Sequence, residues 1–321
     1  MASSKILQLL GAFLLIILLL QPISTQSRPT KNPTKNAFEF IKNLQGCHKG
    51  QKVKGLKNLK GYLHKFGYLN YHQELGNKNK SKNIHANDDD FDDLLESAIK
   101  TYQQYYHLKV TGDLDAETVN QMVQPRCGVP DVVNGKKVHH HSHDDSLHTV
   151  GHFRFFPNRP RWPDSKTDFT YRLTSSAQVP EPNNIKSIIS RAFERWSKVT
   201  RFTFQEVSES STSDIVIGFH QGSHGDNAPF DGPGGTLAHA YAPTRGIFHY
   251  DAEENWSSNP VAGSSQVDLE SVAVHEIGHL LGLHHSEVRS AIMYAYYQLG
   301  STKRDLDADD IQGIQTLYGL Q

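Results

Sequence analysis

The chain has 321 residues, with Lys+Arg 33 against Asp+Glu 34 and a formal net charge of -1. That length allows one large domain or two ordinary ones. The charge balance argues against nucleic acid or an anionic membrane as the main partner, since neither would be drawn to it electrostatically. Composition sets 19 His beside only 2 Cys, an excess of imidazoles among the candidate metal ligands.

At the N-terminus, Lys5 precedes an uncharged apolar run from Ile6 to Leu20, followed by Pro22, Ser24 and Thr25. This pattern predicts a secretory signal over 1–26; the run is shorter than the roughly 20 residues a membrane span needs. No second apolar stretch follows, and Gly319-Leu320-Gln321 is not a lipid-anchor tail. The processed protein is expected outside the cell, in the extracellular space, the matrix or the wall, with no membrane anchor.

Leu56, Leu59, Leu63 and Phe66 recur at helical spacing. The polar stretch Asn77 to Asp90 has little to bury and predicts a loop. Phe91 to Tyr106 carries Leu94, Leu95, Ala98, Ile99, Tyr102 and Tyr105 on one helical face, and Asp115 is placed to cap a further helix through Met122. Residues 27–124 therefore predict a small all-α domain. The stretch from Val129 to Asp145 lacks apolar periodicity and ends in His139, His140, His141 and His143, which predicts a linker rather than a metal site.

From Asp168 the texture alternates. Asp168 to Leu173, Arg201 to Val207 and Ile215 to Phe219 read as strands. Pro182 opens a helix carrying Ile185, Ile188, Ile189, Ala192, Phe193 and Trp196, and further helices are predicted from about Gln266 to Leu283 and from Asp307 to Tyr318, the last with Ile311, Ile314, Leu317 and Tyr318 inward.

Inside the 266–283 helix lies His275-Glu276-Ile277-Gly278-His279. Two imidazoles at i and i+4 project from one face and can share one Zn²⁺. Glu276 sits beside them, placed to take a proton from water. Gly282 can adopt positive φ, end the helix and bring His285 back as a third ligand. Requiring that Gly and that His lowers the chance occurrence of the motif to roughly 3 in 10,000 chains. Core histidines bonded to carbonyls would explain neither the Glu nor the Gly.

His275, Glu276, His279, Gly282 and His285 match HExxHxxGxxH, and here the chain resembles the metzincin zinc endopeptidases. Ser286 is similar to the matrixin branch. Ser290-Ala291-Ile292-Met293-Tyr294 resembles that family's Met-turn, which implies that Met293 lies under the metal. Ala295 departs from the family's usual Pro at the wall of the main specificity pocket, while Tyr297 matches its aromatic position. The resemblance implies an α+β zincin-like (metzincin) catalytic domain over 153–321, with a twisted mixed sheet and three helices, after an all-α pro-domain.

Pro125-Arg126-Cys127-Gly128-Val129-Pro130-Asp131 lies between the two regions. A thiolate is a good zinc ligand and would displace the water that hydrolysis needs. The heptapeptide matches the matrixin cysteine switch, 125–131, which implies that Cys127 blocks the zinc in the zymogen and that Arg126 pairs with Asp131. The alternative is a disulfide from Cys127 to Cys47. The surroundings of Cys47, Gly46-Cys47-His48-Lys49-Gly50, resemble the pro-regions of plant matrixins. A linker with the activation cleavage is expected over 132–152, the cut falling between His143 and Arg161, by autolysis or by another protease, since the 143–161 interval holds no dibasic site.

His224, Asp226, His239 and His249 are too scattered to assign from spacing. Gly225 to Gly232 and Leu237 to Ala240 are similar to matrixins, which implies that those four hold a closed structural zinc. The same resemblance implies a calcium site from Asp231, Gly232, Gly234, Thr236, Asp251 and Glu254, a carboxylate and carbonyl set that suits a hard cation. The His239 to His249 connection is shorter than in animal matrixins and lacks the aspartate before the final His, a departure from the pattern that implies a further calcium site on that loop. The Leu237-Ala238 strand is expected to receive an extended peptide substrate. Asn79 and Asn255 are glycosylation acceptors by pattern.

These motifs predict a secreted endopeptidase acting on extracellular proteins or peptides, with one catalytic and one structural Zn²⁺ and at least one Ca²⁺. Two readings from other classes stand beside it. Phe91 to Met122 is similar to peptidoglycan-binding modules, and a zinc-stabilised interaction protein would need no Glu276. The chain stops just after its last helix, so no propeller-type C-terminal domain is expected.

Overall fold

The structure is a computed structural model that describes residues 36–71, 87–133, 136–137, 151–175, 177, 182–259 and 261–320. The signal segment, Asn79 and the histidine run 139–143 lie outside the described residues.

Hydrophobic periodicity sets the helical region as expected. A 3₁₀ helix, Glu39–Leu44, precedes α1 (Leu56–Lys65), α2 (Asp93–Tyr105) and α3 (Ala116–Met122). Asp92 caps α2 by accepting from the Leu95 amide and Asp115 caps α3 by accepting from the Thr118 amide, so each start is fixed by a side chain satisfying an otherwise unpaired N–H. Leu56, Leu59, Leu63, Leu95, Ile99 and Tyr102 close one core.

Among the described residues the chain then passes through ten strands. β1 (Arg126–Cys127) is followed by β2 (Val132–Val133) and β3 (Lys136–Lys137), an antiparallel ladder within the expected linker. Next come β4 (Asp168–Ser175), helix α4 (Pro182–Ser197), β5 (Thr203–Glu206), β6 (Ile215–His220), β7 (Thr236–Ala240), β8 (Ile247–Asp251), β9 (Trp256–Ser257) and β10 (Val267–Asp268). Helices α5 (Leu269–Leu281) and α6 (Ala308–Tyr318) complete the described fold. The main sheet runs β1-β7-β8-β6-β4-β5. All its pairs are parallel except β7 with β8, which gives the expected mixed sheet.

Two boundaries differ from the sequence expectation. The segment before α5 is strand β10, and the helix begins only where the Asp268 carboxylate accepts from the Ser271 amide. Its end falls at Leu281, because Gly282 takes the left-handed conformation at φ 107. In α6, Ile311 is half-buried rather than inward, whereas Ile314, Leu317 and Tyr318 are buried.

Helix α5 is buried along its whole length. It packs on α4, where the Trp196 indole donates to the Val274 carbonyl at 2.8 Å. Such burial explains why the helix is apolar all round rather than amphipathic. Beyond its first turn, where Glu270 pairs with Arg191 and Ser271 with Asp268, the polar exceptions His275, Glu276 and His279 therefore stand out.

The two cores meet at one segment. Tyr294, Ala295 and Tyr296, which follow Met293, belong to the apolar cluster of the helical region. The Tyr296 hydroxyl lies 3.0 Å from that of Tyr62 and 2.6 Å from that of Tyr102.

Candidate active site and metal centres

His275 and His279 are one turn apart on α5, and the Gly282 turn brings His285 to them. With Cys127, their donor atoms all lie within 4.8 Å of one another, and all four residues are buried. The outer nitrogens are pinned. His275 Nδ1 lies 2.7 Å from the Ile292 carbonyl and His279 Nδ1 lies 2.8 Å from the Leu283 carbonyl. A carbonyl only accepts, so each Nδ1 carries the proton and each Nε2 presents a lone pair. Those two Nε2 atoms face each other at 3.1 Å, and His285 Nε2 is buried without a partner.

Inward lone pairs with nothing to bind repel unless a cation lies among them, and three imidazoles with a thiol are a zinc donor set. The residues fit that metal. Burial also pulls the pKa of all three imidazoles below the usual value, keeping them neutral as ligation requires. Burial, with Glu276 nearby, pushes the Cys127 thiol well up, so a cation at the centre is needed to make it a thiolate. Glu276 is buried with neither carboxylate oxygen in a full hydrogen bond; desolvation raises its pKa to about 8. Met293 is buried against α5 at Gly278.

The 125–131 segment enters this site as a strand. β1 pairs parallel with β7 on one side. On the other, the Cys127 amide donates to the Ala295 carbonyl at 2.9 Å and the Tyr297 amide donates to the Pro125 carbonyl at 2.9 Å. The Ala295 position thus keeps its main-chain contact without proline. Tyr297 lies with its ring centroid 5.6 Å from that of His275. Gly128 donates to the Ala238 carbonyl at 2.8 Å, so close that a Cβ there would meet the Thr236 methyl at 2.6 Å.

Arg126 and Asp131 pair at 2.7 Å with both side chains fully buried. The guanidinium carbon lies 3.6 Å from the Phe66 ring centroid, and Tyr68 and Tyr106 hydroxyls donate to Asp131 Oδ2 at 2.8 and 2.9 Å. Burial alone would raise its pKa, but Arg126 and the neighbouring His285 hold Asp131 ionised, well below the usual carboxylate range. Sequence reasoning missed a further contact: Asp131 Oδ1 lies 2.8 Å from His285 Nδ1. Nothing in the motif spacing signals it. Cys47 and Cys127 are both free thiols, so the disulfide alternative is not formed.

His224, Asp226, His239 and His249 form the second gathered set. Antiparallel pairing sets His239 directly opposite His249, which brings together rings that sequence spacing keeps apart. One oxygen, Asp226 Oδ2, lies 3.0 Å from His224 Nε2, 2.6 Å from His239 Nε2 and 2.9 Å from His249 Nδ1. His224 Nδ1 lies 2.9 Å from the Gly222 carbonyl, so its Nε2 is a bare lone pair turned towards an anion. This arrangement also fits a cation, with all four ligands supplied.

The predicted calcium residues adjoin it. Asp231 accepts from the Thr236 amide and hydroxyl at 2.8 and 2.9 Å, and Lys65 of α1 donates to it at 2.8 Å. Glu254 accepts from the Gly234 amide at 2.7 Å, and Asp251 Oδ2 is buried without a partner. Burial, reinforced by mutual repulsion with Asp231, pushes Asp251 up to about 6 and Glu254 up to about 8. Those three acids do not converge as tightly as the two histidine sets. Gly232 and Gly234 lie in the turn between them.

Comparison with known proteins adds what geometry alone cannot. Residues 161–319 match the family model "Matrixin" and residues 52–122 match "Putative peptidoglycan binding domain". The chain is 45% identical over 313 residues to Metalloendoproteinase 2-MMP of Arabidopsis thaliana, covering 93% of this chain and 80% of that relative. It is 46% identical over 281 residues to Metalloendoproteinase 1 of Glycine max, covering 85% of each. Interstitial collagenase of Sus scrofa is 42% identical over 229 residues, 70% of this chain and 43% of that relative. With its zinc-fitting histidines and a helical pro-domain ahead of them, the chain belongs to the matrixin family of zinc-dependent metalloendopeptidases.

Proposed function

We propose that the chain is a secreted zymogen in which Cys127 occupies the fourth position of a zinc held by His275, His279 and His285, and in which Glu276 is the general base once that position is freed. The observation that carries this reading is the convergence of one thiol and three inward imidazoles beside a buried carboxyl without a full hydrogen bond. A zinc ion held there would supply Lewis acidity towards a peptide carbonyl and would make water easier to deprotonate. Glu276 accepts the proton of the attacking water and passes it to the leaving amine. Its burial favours this, since a desolvated carboxylate is a stronger base.

Strand β7 is the peptide guide. In the precursor its edge is taken by β1; with the pro-segment gone, the same amides and carbonyls are offered to a substrate strand. His224, Asp226, His239 and His249 would hold a structural zinc. Asp231, Asp251 and Glu254, with carbonyls of the 232–236 turn, would hold calcium. Activating cleavage falls in 132–152, by autolysis or another protease. Asn255 is exposed, as a glycosylated side chain must be. Among the described residues no helix is long and apolar enough to cross a membrane, and the substrates are taken to be extracellular proteins.

The match to a peptidoglycan-binding model raises wall-polymer binding as a second role for the helical region. Against it, Tyr62, Tyr102 and Tyr106 are buried towards the catalytic region rather than offered to a polymer. Casein zymography with and without chelator, beside a polysaccharide pull-down in chelator, separates the two. Chelator-sensitive clearing supports the protease; no clearing with retained polymer binding overturns it.

A further inference from the structure

The three histidines of the catalytic centre differ in what holds their outer nitrogens. His275 and His279 are held by main-chain carbonyls of the catalytic region itself, at 2.7 and 2.8 Å. His285 is held by a side chain that does not belong to that region: Asp131 Oδ1, 2.8 Å from Nδ1, at the end of the latch. Both partners are fully buried. The carboxylate is in turn fixed by Arg126 and by two tyrosine hydroxyls from the helical region, so it has one orientation to offer.

We propose that Asp131 is a positioning residue for the metal. It orients His285 and fixes its Nδ1–H tautomer in the precursor, so the latch grips the centre twice, through the Cys127 sulfur and through the back of one imidazole. The physical warrant is general. A ligating histidine that donates its other N–H to a carboxylate is held in rotation and made a stronger donor, and losing such a partner typically costs about 10–100-fold in metal affinity. When the pro-segment leaves, His285 loses this acceptor while His275 and His279 keep theirs. The precursor should therefore retain zinc more tightly than loss of the sulfur alone explains. This inference rests on the zinc reading above.

The test uses the full precursor carrying Glu276→Ala, so that it cannot process itself, and Cys127→Ser, so that sulfur does not mask the effect. Zinc release into excess chelator is timed with Asp131 intact, with Asp131→Ala and with Asp131→Asn, which keeps an acceptor oxygen but not the charge. The expected result is at least a ten-fold faster release for the alanine protein and substantial rescue by asparagine. Equal rates for all three would overturn the proposal while leaving the zinc reading intact. Absence of zinc at the His275 centre in the starting protein would instead sink the zinc reading.

Arg126 is left without its carboxylate partner in the alanine variant, so a second measurement needs no substitution at Asp131. In histidine-labelled Glu276→Ala precursor, proton NMR should show a slowly exchanging, downfield His285 Nδ1–H that moves when the pro-segment is cut away. A ring proton unchanged by that removal also overturns the proposal.

Discussion

The two histidine-bearing centres are built on opposite plans. The first sits on a buried helix and a glycine turn, and one of its four donors arrives from a separate part of the chain. The second is assembled from a loop and two paired strands and owns all four of its donors. A centre that borrows a ligand can give it back and expose a coordination position, whereas one that owns all its ligands can only hold. The surroundings of the first agree with this division: a buried carboxyl lacking a full hydrogen bond, Glu276, stands beside its donors.

The sharpest way to break the comparison is Glu276→Ala. It should leave metal content at both centres unchanged and lower kcat on a fluorogenic peptide by about 10²–10⁴-fold; comparable turnover would remove Glu276 from its role. Next, Cys127→Ser should turn a latent precursor into one that cleaves peptide, or processes itself, at least ~10-fold faster than the parent. A stably latent mutant would mean that the helical region blocks the cleft by bulk. Asp226→Ala strikes the second centre. The expected result is loss of one metal equivalent and a melting temperature lower by on the order of 10 °C, with activity at low temperature less affected. Were activity lost while stability stayed unchanged, the division of labour between the centres would be wrong.

The smallest effect concerns the adjoining acids. Asp251 and Glu254 have folded-state pKa values raised to about 6 and about 8, above those of an unfolded chain near 4. A raised carboxyl binds more protons folded than unfolded, so its contribution is present at low pH and is lost as pH climbs through the folded value. Without calcium, the melting temperature should therefore decline from about pH 4 to pH 8, by a few degrees. Calcium should remove that slope. A metal-free protein equally stable across the range would count against a cation site at Asp251 and Glu254.

Much of the first centre was legible from sequence because a helix has one period: His275 and His279 must share a face, and Gly282 must turn the chain. The second was legible only through resemblance, since it depends on which residue of β7 stands opposite which residue of β8, and spacing does not encode register. Helix α2 was readable from its apolar stripe and α3 from its Asp115 cap, whereas the Asp92 cap of α2 went unread. The linker ladder at Val132–Val133 and Lys136–Lys137 was not, being too short for any period to show. The bond between Asp131 and His285 was hidden for a further reason, since it joins side chains 154 positions apart.

The stretch Tyr294-Ala295-Tyr296 carries a last consequence. It belongs to the apolar interior of the helical region, yet it follows the Met293 turn and faces the strand that occupies the cleft. Departure of the pro-domain would uncover two phenol rings at the rim of the active groove, leaving the released enzyme stickier there than its precursor. A free copy of the severed helical fragment, presenting the matching tyrosine nest, is the ready-made molecule to cover them again.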